Sequence, residues 1–267
     1  MRSIESNKAK IANRVIEVFD FFDENHTEAT VMDIVRRYGR PQSSTSELLS
    51  SLVNLGLLYK DPQSRSYSPT PRAALLGSTT QPEIVRNGQL VTMIDRLVTQ
   101  TGLGVAVFGM VGLNAQIFSW HGGTSAIGTG RSQGFGSGLL ERMSDSAAGQ
   151  LLLSTIDQPR RDGTIRRLNA EATDDRKFAF GEMSARIDAI RDAGQATGPL
   201  GFGTICDTCA VLLPGQPKNR AIALGFVYEP SARIDAQALG NLLVDVVSRC
   251  GLQPEFSAPV VAISSAA

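Results

Sequence analysis

The chain has 267 residues, with 26 basic and 26 acidic side chains and a formal net charge of zero. That length accommodates a small domain and a second one of about 150 residues, each able to bury a core, and the composition is that of an ordinary globular protein. No run approaches the ~18 apolar residues that a membrane helix requires. The polar start MRSIESNKAK and three cysteines, an odd number, argue against a secreted disulfide framework and for a cytoplasmic protein with reduced thiols and no membrane partner.

A first helix is expected where Ile11, Val15, Val18, Phe19 and Phe22 share one face. Val31, Ile34, Val35 and Tyr38 then recur at helical spacing, and Gly39 is suited to end that helix in a left-handed conformation. Pro41 opens a second helix whose apolar stripe is Leu48, Leu49, Leu52, Val53 and Leu55. Its other face, Gln42, Ser43, Ser44, Thr45, Ser46 and Glu47, is short and polar, and hydroxyls and amides of this kind can approach phosphates or base edges closely. Leu57 to Tyr59 and Arg65 to Ser68 read as two strands around an Asp61 to Ser64 turn, which completes a winged helix-turn-helix. From Thr30 to Gly77 six basic side chains (Arg36, Arg37, Arg40, Lys60, Arg65, Arg72) stand against three acidic ones, a localised excess in a neutral chain. Arg40, Gln42, Ser43, Ser44, Thr45, Ser46 and Arg65 are the candidate contacts to double-stranded DNA.

Ser78 to Pro82 interrupts the pattern, and Ile84, Val91, Ile94 and Val98 restore it over Glu83 to Thr99, the spacing of a linker helix that can also serve as a dimer seam. The expected divisions are a DNA-binding domain over residues 1–78, a linker helix over 79–100, a second domain over 101–251 and a disordered tail over 252–267. In the second domain, strands Gly104 to Val111 and Ala115 to Trp120 flank a short turn, and Cys209 to Leu213 and Ala221 to Tyr228 flank another loop. Helices are expected over Asp145 to Thr155, Glu182 to Ala193 and Asp235 to Cys250. The fold class is therefore α+β, an antiparallel sheet with helices packed on it.

GRPQSSTSELLSSLVNLGLLYKDPQSRSYSPTPRAALLG resembles the winged helix of the IclR family of bacterial transcriptional regulators, with Leu48, Leu49, Gly56, Leu58, Tyr67, Leu76 and Gly77 at matching places. Gln42 and Glu47 stand where that family has lysine and arginine, which shifts weight to Arg40 and the wing. SDSAAGQLLL (Ser144 to Leu153), IDAIRDAG (Ile187 to Gly194) and the strands at Cys209 to Leu213 and Ala221 to Pro230 are similar to the family's effector-binding domain. The resemblance implies a GAF-like or profilin-like second domain, a homo-oligomer (dimer or tetramer), a pseudo-palindromic operator and a small-molecule effector. The family's C-[IV]-A-A-P-V strand is matched to the one that carries Cys209. Carried over, the effector site is Ala147, Ala148, Cys209, Gly225 and Val227, with glycine and valine in place of two serines. The acidic residue expected before the cysteine is missing, since Pro199 lies near that place.

A site with so few hydroxyls favours a larger, apolar or aromatic carboxylate. Phe118, Trp120, Phe135, Met143, Phe202, Phe226 and Tyr228 are candidates to line it, Trp120 foremost. Arg131, in the glycine-rich run Gly128 to Gly138, is a candidate partner for an effector carboxylate, although a solvated arginine is the plainer reading. That run lacks the strand-to-helix setting of a dinucleotide fingerprint and is read as a loop over the pocket. Cys206-Asp207-Thr208-Cys209 is a lone C-x-x-C, consistent with structural or pocket-lining cysteines or, as the competing reading, with a redox- or metal-responsive regulator. No nucleophile elbow or metal-binding H-E-x-x-H is present, so neither catalysis nor a cofactor is expected.

Overall fold

A computed structural model of the chain describes residues 7–23, 26–123, 135–216, 220–231 and 234–251. The tail over 252–267 and Arg131 lie outside these residues. The chain divides into two compact units, Met1–Gln81 and Pro82–Ala267.

In the first unit, α1 (Asn7–Asp20), α2 (Val31–Tyr38) and α3 (Gln42–Asn54) precede a two-stranded antiparallel wing, β1 (Leu58–Lys60) and β2 (Tyr67–Pro69), and a short α4 (Pro71–Leu75). Thr30 and Asp33 start α2 with a reciprocal capping box, and Gly39 ends it at φ 61°, its N–H bonded to the Val35 carbonyl at 2.9 Å. Pro41 is the N-cap of α3 rather than its first turn. Val18, Ala29, Ile34, Leu49, Leu52, Leu58 and Tyr67 form one core, whereas Leu55, expected in the buried stripe, is 58% exposed because α3 ends before it. Ala29 pairs with Tyr67 as an isolated bridge that adds a third line to the wing. The turn of the wing runs longer than the sequence suggests. Asp61 Oδ1 accepts the N–H groups of Gln63 and Ser64, and Arg65 adopts φ 58° within the turn instead of opening the return strand.

The second unit begins with α5 (Glu83–Arg86) and α6 (Gln89–Thr101). Left-handed Gly88 resets the phase between them, so the buried side of α6 is Leu90, Met93, Ile94 and Leu97, while Val91 is 53% exposed. The segment read as a linker thus contributes α6 to the core of the second unit. A six-stranded antiparallel sheet follows in the order β5-β4-β3-β8-β7-β6: β3 (Gly104–Val111), β4 (Asn114–His121), β5 (Leu140–Arg142), β6 (Gln195–Pro199), β7 (Asp207–Leu212) and β8 (Ile222–Tyr228). The helices α7 (Ala147–Ser154), α8 (Arg160–Ala170), α9 (Phe180–Ala193) and α10 (Ala236–Gly251) complete the unit.

Helices cover both faces of this sheet, so alternate residues of each strand enter different cores. One core joins Ala106, Phe108, Ala210, Ala223 and Val227 to α7, α8 and α9; the other joins Val105, Val107, Cys209, Val211, Leu224, Phe226 and Tyr228 to α6 and α10. Burial on both sides explains why β3, β7 and β8 read as nearly continuous apolar runs. Two short edge strands, β5 and β6, and helix α8 carry no such pattern in the sequence.

Candidate DNA-reading face and effector chamber

The exposed side of α3 carries Gln42, Ser43 and Glu47, with Ser44 and Ser46 half-buried. Thr45 is a correction to the expected reading face. It is 1% exposed, its hydroxyl donates to the Pro41 carbonyl at 2.9 Å, and Arg14 reaches its Oγ1 at 3.5 Å, so it braces the helix start from inside. Arg14 also donates to Ser44 Oγ at 3.3 Å. Arg40 stands beside α3 but is engaged. Its Nε donates to Glu17 Oε2 at 3.1 Å and its Nη2 to Glu17 Oε1, and these bonds push its pKa up. Arg65 is exposed in the wing turn, and no ion pair occupies it among the described residues.

In the second unit, the side of the sheet facing α7 holds a cluster of rings. Trp120 meets Phe135 edge-on at 4.8 Å between centroids, Phe135 meets Phe202 edge-on at 6.4 Å, and Phe202 stacks on Phe108 at 6.2 Å. The Trp120 ring lies over Gly104, where any side chain would collide with it. Ala147, Ala148, Gly225 and Val227 belong to the same side, and Met143 packs there too. Ser146 caps α7 by accepting the Gly149 N–H at 3.0 Å, which leaves the first N–H groups of the helix, those of Ala147 and Ala148, without an intrahelical acceptor. A helix N-terminus of this kind favours negative charge.

Cys209 does not join this group. It points to the opposite face, among Val211, Phe226 and Tyr228, and Ala210 occupies the position facing α7. The spacing explains the slip: in the family pattern proline follows cysteine by four residues, whereas Pro214 follows Cys209 by five and Ala210 by four. One residue of register exchanges the two faces of a strand. Phe226 and Tyr228 accompany Cys209, and Phe118, at a bulge of β4, covers Gly109 and is 48% exposed, so none of these three lines the ring cluster. His121 also turns away, bonded to Ser119 Oγ at 3.0 Å and 3.9 Å from Asp95 of α6.

The same geometry gives no support to the redox or metal reading of Cys206 and Cys209. Cys206 packs against the α7-side core and Cys209 lies in the other, so the two thiols flank the sheet. Burial pushes both thiols up, Cys209 to about 12, which disfavours the thiolate needed for either chemistry. Among the described residues no group of three potential metal ligands occurs.

Three features of the α7 side are absent from the expected set. Phe108 is fully buried beneath Phe202. Thr208 is fully buried with its hydroxyl unpartnered beside Gly225. Glu141 accepts the Phe202 N–H at 2.7 Å. Alternation along β3 and β7 would have placed the first two once the register was known, while Glu141 carried no pattern.

A polar second helix in front of a wing, braced by a small apolar core, defines a winged helix-turn-helix DNA-binding unit. Residues 12–62 match the family model of the IclR helix-turn-helix domain. A search of curated proteins finds no match. Among solved structures, an IclR homologue from Microbacterium hydrocarbonoxydans, crystallised with 4-hydroxybenzoate, is similar at 15% identity over 91% of this chain and 100% of that one, TM-score 0.54. The transcriptional regulator from Alicyclobacillus acidocaldarius is similar at 17% identity over 93% and 97%, TM-score 0.53. The effector domain of an Acinetobacter IclR regulator shares 20% identity over 63% of this chain and 96% of its own length, TM-score 0.54. At these identities the structures show the fold, and the helix-turn-helix match applies to residues 12–62. Residues 12–62 therefore form an IclR-type helix-turn-helix domain, and the chain as a whole shares its fold with solved IclR-family regulators.

Proposed function

We propose that this regulator binds a pseudo-palindromic operator as a homo-oligomer in the cytoplasm, and that an aromatic carboxylate bound in its second unit alters operator affinity. The ring cluster beside the N-terminus of α7 carries this reading. Rings offer stacking surface to an aromatic body, and the free N–H groups of Ala147 and Ala148 offer a carboxylate its hydrogen bonds. Trp120, Gly225 and Val227 line the same side, with Ala210 in place of Cys209. The 4-hydroxybenzoate held by the Microbacterium homologue is a ligand of this chemistry.

On the output side, Gln42, Ser43, Ser44 and Ser46 of α3 face the major groove, and Arg40 and Arg65 meet phosphates, Arg40 after releasing Glu17. Each half-site is one helical turn, or a multiple of it, from its twin. The effector regulates only through different affinities for the DNA-competent and DNA-incompetent arrangements.

The test has two stages. Duplexes that the protein selects from a random pool identify an operator, and thermal-shift and calorimetric titration with benzoate, 4-hydroxybenzoate and aliphatic acids identify the ligand class. Saturable binding of an aromatic acid, stronger than that of an aliphatic acid of similar size, supports the reading. Stronger binding of small aliphatic acids counts against the aromatic assignment.

A further inference from the structure

We propose that Phe202 is a gate that occupies the candidate effector site, and that the Glu141 carboxylate is the positioning group that holds it there. The inference rests on the effector reading above and narrows the ligand to one whose planar ring takes the place of the Phe202 ring.

Phe202 sits in the turn between β6 and β7, closed by the Leu200 N–H bonded to the Cys206 carbonyl at 2.9 Å and the Thr204 N–H to the Gly201 carbonyl at 3.0 Å. Three successive residues of this turn are left-handed: Gly201 at φ 80°, Phe202 at 53° and Gly203 at 69°. Glycine adopts that region freely and phenylalanine does so at a cost, so the turn itself gains nothing from a side chain at position 202. What the side chain supplies is a ring inserted against Phe108 and Phe135.

The strained residue is held from its backbone. Glu141 of β5 accepts the Phe202 N–H at Oε2, 2.7 Å away, a charge-assisted bond from a carboxylate that is 14% exposed. Its other oxygen is 3.6 Å from Arg176, and Arg176 donates to Asp145 at 3.1 Å. Asp145 lies two residues before α7, and its carbonyl and the Glu141 side chain would both crowd a β-carbon at Gly201, so the turn lies close against the start of that helix. An exposed arginine therefore pins the carboxylate that pins the ring.

Withdrawal of Phe202 frees the ring surfaces of Phe108 and Phe135 that it now contacts, a slot bounded by rings. A planar aromatic ligand remakes both contacts, whereas a saturated ring remakes neither stacking geometry. While the gate is shut the site is not competent, so apparent affinity is the intrinsic affinity reduced by the open fraction. Weakening the latch raises that fraction.

The experiment uses the full-length protein and calorimetric titration with benzoate, 4-hydroxybenzoate and cyclohexanecarboxylate. Phe202→Gly removes the ring and suits the left-handed backbone; Glu141→Gln keeps the shape and removes the charge. The expected result is tighter binding of the two aromatic acids, about tenfold for Phe202→Gly and about threefold for Glu141→Gln, with a smaller gain for cyclohexanecarboxylate. Unfolding midpoints and the emission of Trp120, the single tryptophan, establish that each variant is folded. If the unmodified chain binds an aromatic acid and folded Phe202→Gly binds it equally or more weakly, Phe202 is a wall of the site and the gate is overturned while the effector reading survives. If no version of the protein binds any of the three acids, the effector reading fails and the gate with it.

Discussion

The two units place their working residues in opposite situations. In the first, the candidate DNA contacts lie on the outside of one helix and at the tip of a wing, supported by a core of seven buried residues. In the second, the candidate ligand groups are interior, on one side of a sheet whose other side is buried just as deeply. A surface site is tuned by its charges and tolerates change around it, while an interior site shares its residues with the core, so specificity and stability are altered together.

Several substitutions would break or sharpen that contrast. Leu49→Ala, at a position fully buried in α3, should cost the first unit ~2–5 kcal/mol, a large part of what so small a domain possesses. Calorimetry should show loss of the transition of the first unit and of operator binding, with that of the second unit unmoved. Ala210→Leu should overpack the α7 side, cost ~1–3 kcal/mol and weaken binding of an aromatic acid by about tenfold or more, whereas Cys209→Ser on the other face should leave ligand affinity within about twofold. Equal effects at both positions would contradict the assignment of faces.

At the DNA surface the expected effects are smaller and depend on salt. Arg65→Ala should reduce the slope of log affinity against log salt by about 0.9, the signature of one lost phosphate contact. Glu17→Gln should tighten operator binding several-fold, because it frees Arg40 from its carboxylate partner. An unchanged slope, or weaker binding by Glu17→Gln, would remove the arginine concerned from the interface.

The smallest expected effect is an alkaline one on the second unit. Burial pushes Cys209 and Tyr228 to about 12, above their ordinary values of 9.0 and 10.0, so the unfolded chain ionises first. The stability these groups contribute is complete below pH 9.0 and is lost as pH rises towards about 12. Cys209→Ala should flatten urea midpoints of the second unit measured between pH 8 and pH 10.5, and an unaltered slope would show that the thiol is not desolvated.

How much of this was legible follows from the same contrast. The helices of the first unit stand out because one side of each is polar, and the left-handed glycine between α2 and α3 marks the turn. The strands β3, β7 and β8 stand out as apolar runs, but a strand buried on both faces carries no alternation to show which residue points where. The sequence alone therefore puts Cys209 on the wrong side. The strand β6, QATGP, contains both glycine and proline, β5 has three residues, and α8 has glycine at position 163 and a buried arginine at 161, so each lacks the usual signal. Thr45 looked like a DNA contact because its neighbours are polar, and only the helix phase shows that it turns inward. The link from Glu141 to Phe202 joins residues 61 apart and depends on tertiary structure alone.

Coupling between the two units is the central claim, and fluorescence anisotropy of a selected operator duplex at fixed salt tests it most directly. Addition of a saturating aromatic acid, its binding established by calorimetry, should shift operator affinity by about tenfold or more, within the usual range of allosteric coupling. An operator affinity that stays the same with the ligand demonstrably bound would contradict the account.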